Sequence, residues 1–281
     1  MEENVVTSEL TGVLNLEIGR DRNGKSIAKK IFHKGGIKIQ RPVYLDGGNT
    51  PCFYILNPHG AFLDSDVYQM DIRLQEESRL TLTTQGASII YKTPEKEAYQ
   101  EANMFLAKGS YLEYLPGAII GYKNAKFFQK NIFHLEKGAT LLYLEVITSG
   151  WSPEGDPFTF TSLRLQSEIY KDEELVVYDH IKLAPEEQNF NVLGFMEGYS
   201  HVGTFMVVSD EVDDDIIDRV YQVLSEEDYD VKFGISKLSV PGFTIRILSN
   251  MTQHIEWLAM KCRNFLNEEW YGTSLGTLRK Y

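Results

Sequence analysis

Two carboxylates stand inside otherwise apolar, strand-forming stretches: Glu113 between Leu112 and Tyr114, and Glu145 between Leu144 and Val146. A carboxylate carried into a core strand is costly unless it is paired, hydrated or bound to a cation. Each therefore needs a partner: an arginine or a strand end to cap, a cation, or a second carboxylate acting with it as acid and base on a glycosidic bond. The other chemistry-bearing residues form weaker patterns. His33, His59, His134, His180, His201 and His254 show neither HxH nor HxxxH spacing, and no cysteine pair accompanies them, so a structural zinc site is not expected. Cys52 and His59, on either side of Asn57-Pro58, read as a transient metal-binding pair or, more simply, as a buried cysteine and a turn histidine. Gly19 to Ser26 ends in Gly-Lys-Ser with phosphate-loop spacing, but the chain runs on through Ile27-Ala28-Lys29-Lys30-Ile31 to another glycine turn instead of opening a helix. It is assigned to a hairpin tip. No GxSxG elbow occurs, so nucleophilic catalysis is poorly supported.

The bulk composition narrows the classes further. A chain of 281 residues, 43% hydrophobic and 24% charged, can bury a sizeable core, and no low-complexity tract marks a linker. The opening Met1-Glu2-Glu3-Asn4 lacks a basic and apolar leader, and no stretch reaches the length of a membrane span, so neither secretion nor a membrane is expected. With only two cysteines a disulfide framework is not expected, and a cytoplasmic location fits. The net charge of −12 opposes attraction to phosphate backbones, so nucleic acid is not an expected partner.

From about Leu10 to Leu183 the hydrophobic pattern has period two, as in Met70, Ile72 and Leu74 or Leu163 and Leu165, with turn residues at frequent intervals. Leu141 to Ile147 is apolar on both faces apart from Glu145, which predicts a strand covered on both sides and hence stacked layers of sheet. Gly109 to Leu115 resembles Gly138 to Leu144, and Glu77 to Thr83 is a fainter earlier copy; recurrence at about 30 residues suggests strands stacked in successive layers. The last third changes period. Asp213 and Thr252 are expected to cap two amphipathic helices within residues 212–226 and 251–270, flanking strands at about 229–235 and 243–248. The expected fold is mainly β: stacked mixed sheets with solenoid-like layering over residues 1–198, and a small α+β portion over 199–281 packed on that body or continuous with it. The helix stripes are expected to face the β body.

Five segments, in order, resemble the urease accessory UreD (UreH) family. They are Gly12-Val13-Leu14; Gln40-Arg41-Pro42-Val43-Tyr44; Leu82 to Ala87, containing Gly86, with Tyr91; Leu112-Glu113-Tyr114-Leu115-Pro116 with Ile119; and Gly150 to Gly155 before Phe158. Two departures are specific to this chain. Asn57-Pro58-His59-Gly60 leads to Asp66 where the family has a glycine-rich stretch, and Trp151 follows Gly150 where an arginine is usual.

The resemblance implies a β-rich, non-catalytic maturation factor that binds UreF and through it the GTPase UreG, docks on apo-urease, and conducts nickel through an internal channel. No cofactor is held permanently; nickel is cargo. Such a path should be polar but weakly coordinating, because a closed cage would retain the ion. Glu113 and Glu145 are its clearest candidate linings, with Asp66, Thr83, Thr84 and Asp179 as further ones. The rival from another class is a β-solenoid or sandwich carbohydrate hydrolase using Glu113 and Glu145 as its carboxylate pair. A generic binding module without a metal role is a third reading.

Overall fold

The computed structural model describes residues 10–45, 48–190, 192–226 and 230–272. The chain begins with a hairpin of β1 (Gly12–Arg20) and β2 (Ser26–Gly35), followed by β3 (Lys38–Ile39) and β4 (Cys52–Leu56). The Gly-Lys-Ser segment is the tip of that hairpin: Asp21 Oδ1 accepts from the N–H groups of Asn23 at 2.8 Å and Lys25 at 2.9 Å, closing a turn.

Three similar coils come next. Their long strands are β5 (Val67–Leu74) and β6 (Arg79–Thr84), β8 (Ala98–Leu106) and β9 (Tyr111–Leu115), and β11 (Lys126–Leu135) and β12 (Thr140–Ile147); short β7 (Ser88–Ile90) and β10 (Ile119–Gly121) lie between coils. The second strands of the coils are parallel neighbours, with Arg79 opposite Tyr111 and Tyr111 opposite Thr140. The sequence echo is thus a structural repeat, since the echoed positions stack directly over one another. Gly109 and Gly138 occupy the same tight turn in successive coils with φ of 66° and 73°, a left-handed conformation in which a Cβ is strained.

The solenoid-like layering ends in an antiparallel hairpin, β13 (Ser162–Lys171) and β14 (Glu174–Leu183). β15 (His201–Val208) then pairs with β12, α1 (Asp214–Ser225) crosses the outside, β16 (Val231–Lys237) and β17 (Gly242–Ser249) complete the sheet, and α2 (Thr252–Tyr271) closes the described chain. The start of the strand expected at about 229 lies outside the described residues. One sheet runs β14-β13-β11-β8-β5-β1-β2 and the other β16-β17-β15-β12-β9-β6-β4-β3.

Two cores result. Between the sheets pack Leu14, Leu16, Met70, Ile72, Phe127, Phe133, Leu141 and Tyr143. On the outer face of the second sheet, Leu142, Leu144, Val146, Phe205 and Phe243 meet the stripes Ile216, Val220, Leu224 of α1 and Ile255, Leu258, Cys262, Leu266 of α2. β12 is therefore buried on both faces, as its continuous apolar run requires. Asp213 caps α1, its side chain accepting from Ile216 N–H at 2.9 Å. Thr252 does not cap α2: it is the first helical residue, and Met251, in extended backbone, holds the cap position without a side-chain hydrogen bond. Ser249 Oγ accepts from Met251 N–H at 3.3 Å, so a hydroxyl before the helix braces the approach.

Candidate functional site

Alternation decides which side of the second sheet each carboxylate faces. Glu113 shares its parity with Tyr111 and Leu115, which pack toward α2, whereas Glu145 shares its parity with Leu141, Tyr143 and Ile147, which point between the sheets. The two candidates are on opposite faces. They cannot flank one glycosidic bond, which removes the carboxylate pair on which the hydrolase reading relied.

Glu113 is fully buried and fully satisfied. Arg263 of α2 donates Nε to Oε1 and Nη2 to Oε2, both at 2.8 Å, Tyr111 donates to Oε1 at 2.7 Å and Thr81 to Oε2 at 2.8 Å. Burial alone would raise its pKa, but the Arg263 charge and these donors outweigh that and hold it below the usual carboxylate value. Asn267, one turn further along α2, donates to Tyr111 Oη at 3.1 Å and to the Arg263 carbonyl at 2.9 Å. This network ties α2 to the solenoid. Thr83 lies on the same side and donates to the Leu115 carbonyl at 2.5 Å. Cys52 is also here: burial pushes its thiol up to about 11, and the charges of Glu113 and Arg263 act on it. It is not brought to His59.

Glu145 has a different environment. Tyr143 donates to Oε2 at 2.6 Å and Asn131 Nδ2 donates to Tyr143 Oη at 2.7 Å, a bridge between the two sheets. Oε1 of Glu145, Oδ1 of Asn131 and Oγ of Ser167 are buried with no hydrogen-bond partner among the described residues. Burial, opposed by the Tyr143 hydrogen bond, raises the Glu145 pKa to about 7; Asp179 adds to the rise, and Arg246 and Thr204 oppose it. Arg246 of β17 binds both Asp179 of β14 and Thr204 of β15, closing this end of the interior across the two sheets.

Strand register extends the polar surface along the interior. Asp179, Ser167 and Asn131 are lateral neighbours across β14, β13 and β11. Two residues along β11, Gln129 sits beside Gln100 of β8, which donates to it at 3.3 Å, and Gln100 sits beside Tyr68 of β5. Tyr68 lines a cavity of about 230 Å³ together with Asn57, Thr84, Gln85, Gly86 and Gln100. Thr84 Oγ1 accepts from Gly117 N–H at 2.8 Å, and Asp66, just before β5, accepts from Leu63 N–H at 2.7 Å. Of the sequence-predicted positions, Glu145 and Asp179 therefore meet at one end of an interior polar row and Asp66 and Thr84 lie at the other; Glu113 and Thr83 are outside it. Among the described residues no three His, Cys, Asp or Glu side chains gather closely enough to hold a metal ion.

Sequence reading missed Tyr68, Gln100, Gln129, Asn131, Ser167, Thr204, Arg246 and Arg263. Gln129 and Asn131 carried a readable signal: they occupy the buried phase of β11, between Phe127 and Phe133. The family-motif residues are mostly structural. Leu115 is buried at the end of β9 with Pro116 following, and exposed Arg41 and half-buried Pro42 lie between β3 and β4. Gly150 has φ of 82°, and a methyl group there would lie 2.2 Å from the Gly121 carbonyl oxygen.

Fold and site together define a layered β scaffold with a polar interior row and a helix-covered second sheet. The model of the family UreD urease accessory protein matches residues 10–279. The urease accessory protein UreD of Lachnoclostridium phytofermentans is 43% identical over 271 residues, covering 96% of this chain and 98% of the relative. That of Staphylococcus aureus is 39% identical over 273 residues, with the same coverages. This chain belongs to the UreD family of urease accessory proteins, and its role lies in urease maturation.

Proposed function

We propose that this protein is a cytoplasmic, non-catalytic scaffold that links apo-urease to UreF and UreG, and that nickel crosses it along the interior polar row toward the urease active site. The partners and the cargo follow from the family resemblance. The observation that carries the route is the orphaned oxygen cluster of Glu145, Asn131 and Ser167. Buried oxygens without donors are costly, and a passing divalent cation with part of its water shell would satisfy them. Three neutral or half-ionised oxygens coordinate weakly, as a path requires. Asp66, Thr84 and Asp179 are assigned to the two ends of the row. Glu113 and Thr83, lying outside it, are assigned to anchoring α2 and its sheet.

Replacing Glu145 by Leu removes one oxygen ligand and a compensating charge, and each ~1.4 kcal/mol added to the barrier slows passage about tenfold. Urease activation and co-purification with UreF and UreG are measured side by side. The expected result is lower activation with the complex intact. Normal activation by Glu145→Leu removes this residue from the route, and failure of the unmodified chain to co-purify removes the scaffold reading.

A further inference from the structure

The chain is acidic as a whole and basic in one place. Residues 20–45, from the end of β1 through β2 and β3, carry eight Lys and Arg against the single Asp21, a local charge of +7 in a chain of net charge −12. Asp21 is engaged by the N–H groups of its own turn. Arg20 pairs with Glu77 and Lys25 lies over the Tyr44 ring, whereas Lys29, Lys30, Lys34 and Lys38 are exposed and make no ion pair among the described residues.

The strand that carries three of these lysines is the last of the first sheet. β1 lines one side of β2, and among the described residues no strand pairs with the other. Beyond its pairing with β1, the backbone of β2 is engaged only at Ser26, whose N–H donates to the Asn49 carbonyl at 3.1 Å and whose carbonyl accepts from Tyr44 Oη at 3.1 Å. A bulge opposite Glu17 and Ile18 sets Lys29 apart, and past it Lys30–Gly35 pairs with Gly12–Glu17 without interruption. All of Lys30–Gly35 is exposed. Lys30, Phe32 and Lys34 stand on one face, and Ile31 and His33, opposite Leu16 and Leu14, on the other. Lysines on an edge strand ordinarily guard it against pairing. Here they alternate with Ile31, 45% exposed, and Phe32, 47% exposed, and guarding gives no reason to leave an aliphatic and an aromatic side chain uncovered on the two faces of a regular edge.

We infer that the open edge of β2 is a docking strand for an extended acidic segment of a partner protein, which joins the first sheet as an added strand. Main-chain hydrogen bonds along Lys30–Gly35 supply affinity and the flanking side chains supply the choice of sequence. Opposite Lys30, Phe32 and Lys34 the segment places acidic, apolar and acidic residues at alternate positions, with a further apolar one opposite Ile31. Charge favours a short peptide over a polyanion. Attraction to the lysines reaches about 8 Å at physiological salt, so a segment lying along the edge stays within the patch, while a nucleic acid or an anionic membrane extends past it over a surface that is otherwise acidic. The docking strand is independent of the interior route proposed above.

The probe is the fluorescent peptide Thr-Glu-Val-Val-Val-Glu-Thr, and its control replaces the outer two Val by Pro, which keeps the charge and removes backbone donors. Each is added to the full chain, and binding is read by anisotropy and by amide hydrogen exchange over residues 26–35. The first peptide is expected to bind and to slow exchange within Lys30–Gly35, and the control to bind about tenfold more weakly. Lys30→Glu combined with Lys34→Glu is expected to weaken binding of the first peptide by about tenfold, with circular dichroism that of the parent. A peptide carrying Lys in place of Glu is expected to bind this variant in preference to the parent. No binding of the first peptide, equal binding of the proline control, or no recovery on exchanging the charges overturns the inference. Tighter binding of single-stranded DNA or of phosphatidylserine vesicles also overturns it, as does self-association that the double variant abolishes, because the edge then serves a polyanion or a second copy.

Discussion

At the residue scale, two glutamates with the same kind of sequence context have opposite physics. Glu113 is an ionised partner of a buried guanidinium, and removing it takes away the carboxylate that accepts two hydrogen bonds from Arg263, which is 3% exposed. Breaking such a pair costs about 3–5 kcal/mol, whereas replacing both members by apolar groups of similar volume is often near neutral. Glu113→Leu is therefore expected to lower the melting temperature strongly, and Glu113→Leu with Arg263→Met to recover most of the loss in thermal denaturation. No recovery in the double variant would contradict a pairwise lock. Glu145 has a folded pKa of about 7, above the ordinary 4.5. Between those values the folded chain keeps a proton that the unfolded chain has released, so this group's contribution to stability falls as pH rises and the loss is complete above about 7. At 1.36 kcal/mol per unit the penalty is roughly 3 kcal/mol. Glu145→Gln is expected to raise the melting temperature at pH 8 and to change it little at pH 5; an equal shift at both would show that Glu145 is not held protonated by burial.

At the element scale, the coils need little beyond alternation and a left-handed turn residue, while the helices depend on their ends and one face. α1 has Asp214 and Asp215 in its first turn and a satisfied cap at Asp213, both favourable to the helix dipole. Asp213→Ala is expected to cost about 1 kcal/mol, read as a small fall in denaturation midpoint without change in slope. α2 lacks a capping side chain and is held instead by its buried stripe and by Arg263 and Asn267. The Glu113 network thus fixes the position of an element whose own start signal is weak.

Across the whole molecule, the interior row depends on strands far apart in the chain keeping one register. Ser167, Asn131 and Glu145 come from three strands and two sheets, and Arg246 closes on Asp179 from the other sheet. Far-ultraviolet circular dichroism is expected to be dominated by strand, with α1 and α2 the helical contribution among the described residues. A helix-dominated spectrum would contradict the architecture. No helix among the described residues is long and apolar enough to cross a membrane.

The sequence by itself determined the layered β class, because side-chain alternation, frequent turns and a recurrence at about 30 residues are local properties of the chain. It also determined the two helix stripes and the family, whose motif residues, such as Gly150, answer local steric demands. Tertiary structure alone decided which face of the sheet each glutamate occupies, because a shift of one residue in phase exchanges the faces and both faces of β9 and β12 are buried. With no exposed side to mark the phase, Glu113 and Glu145 looked equivalent. Only the packing of α2 on one face and of the opposing sheet on the other made the first an anchor and placed the second beside unpaired oxygens in the interior.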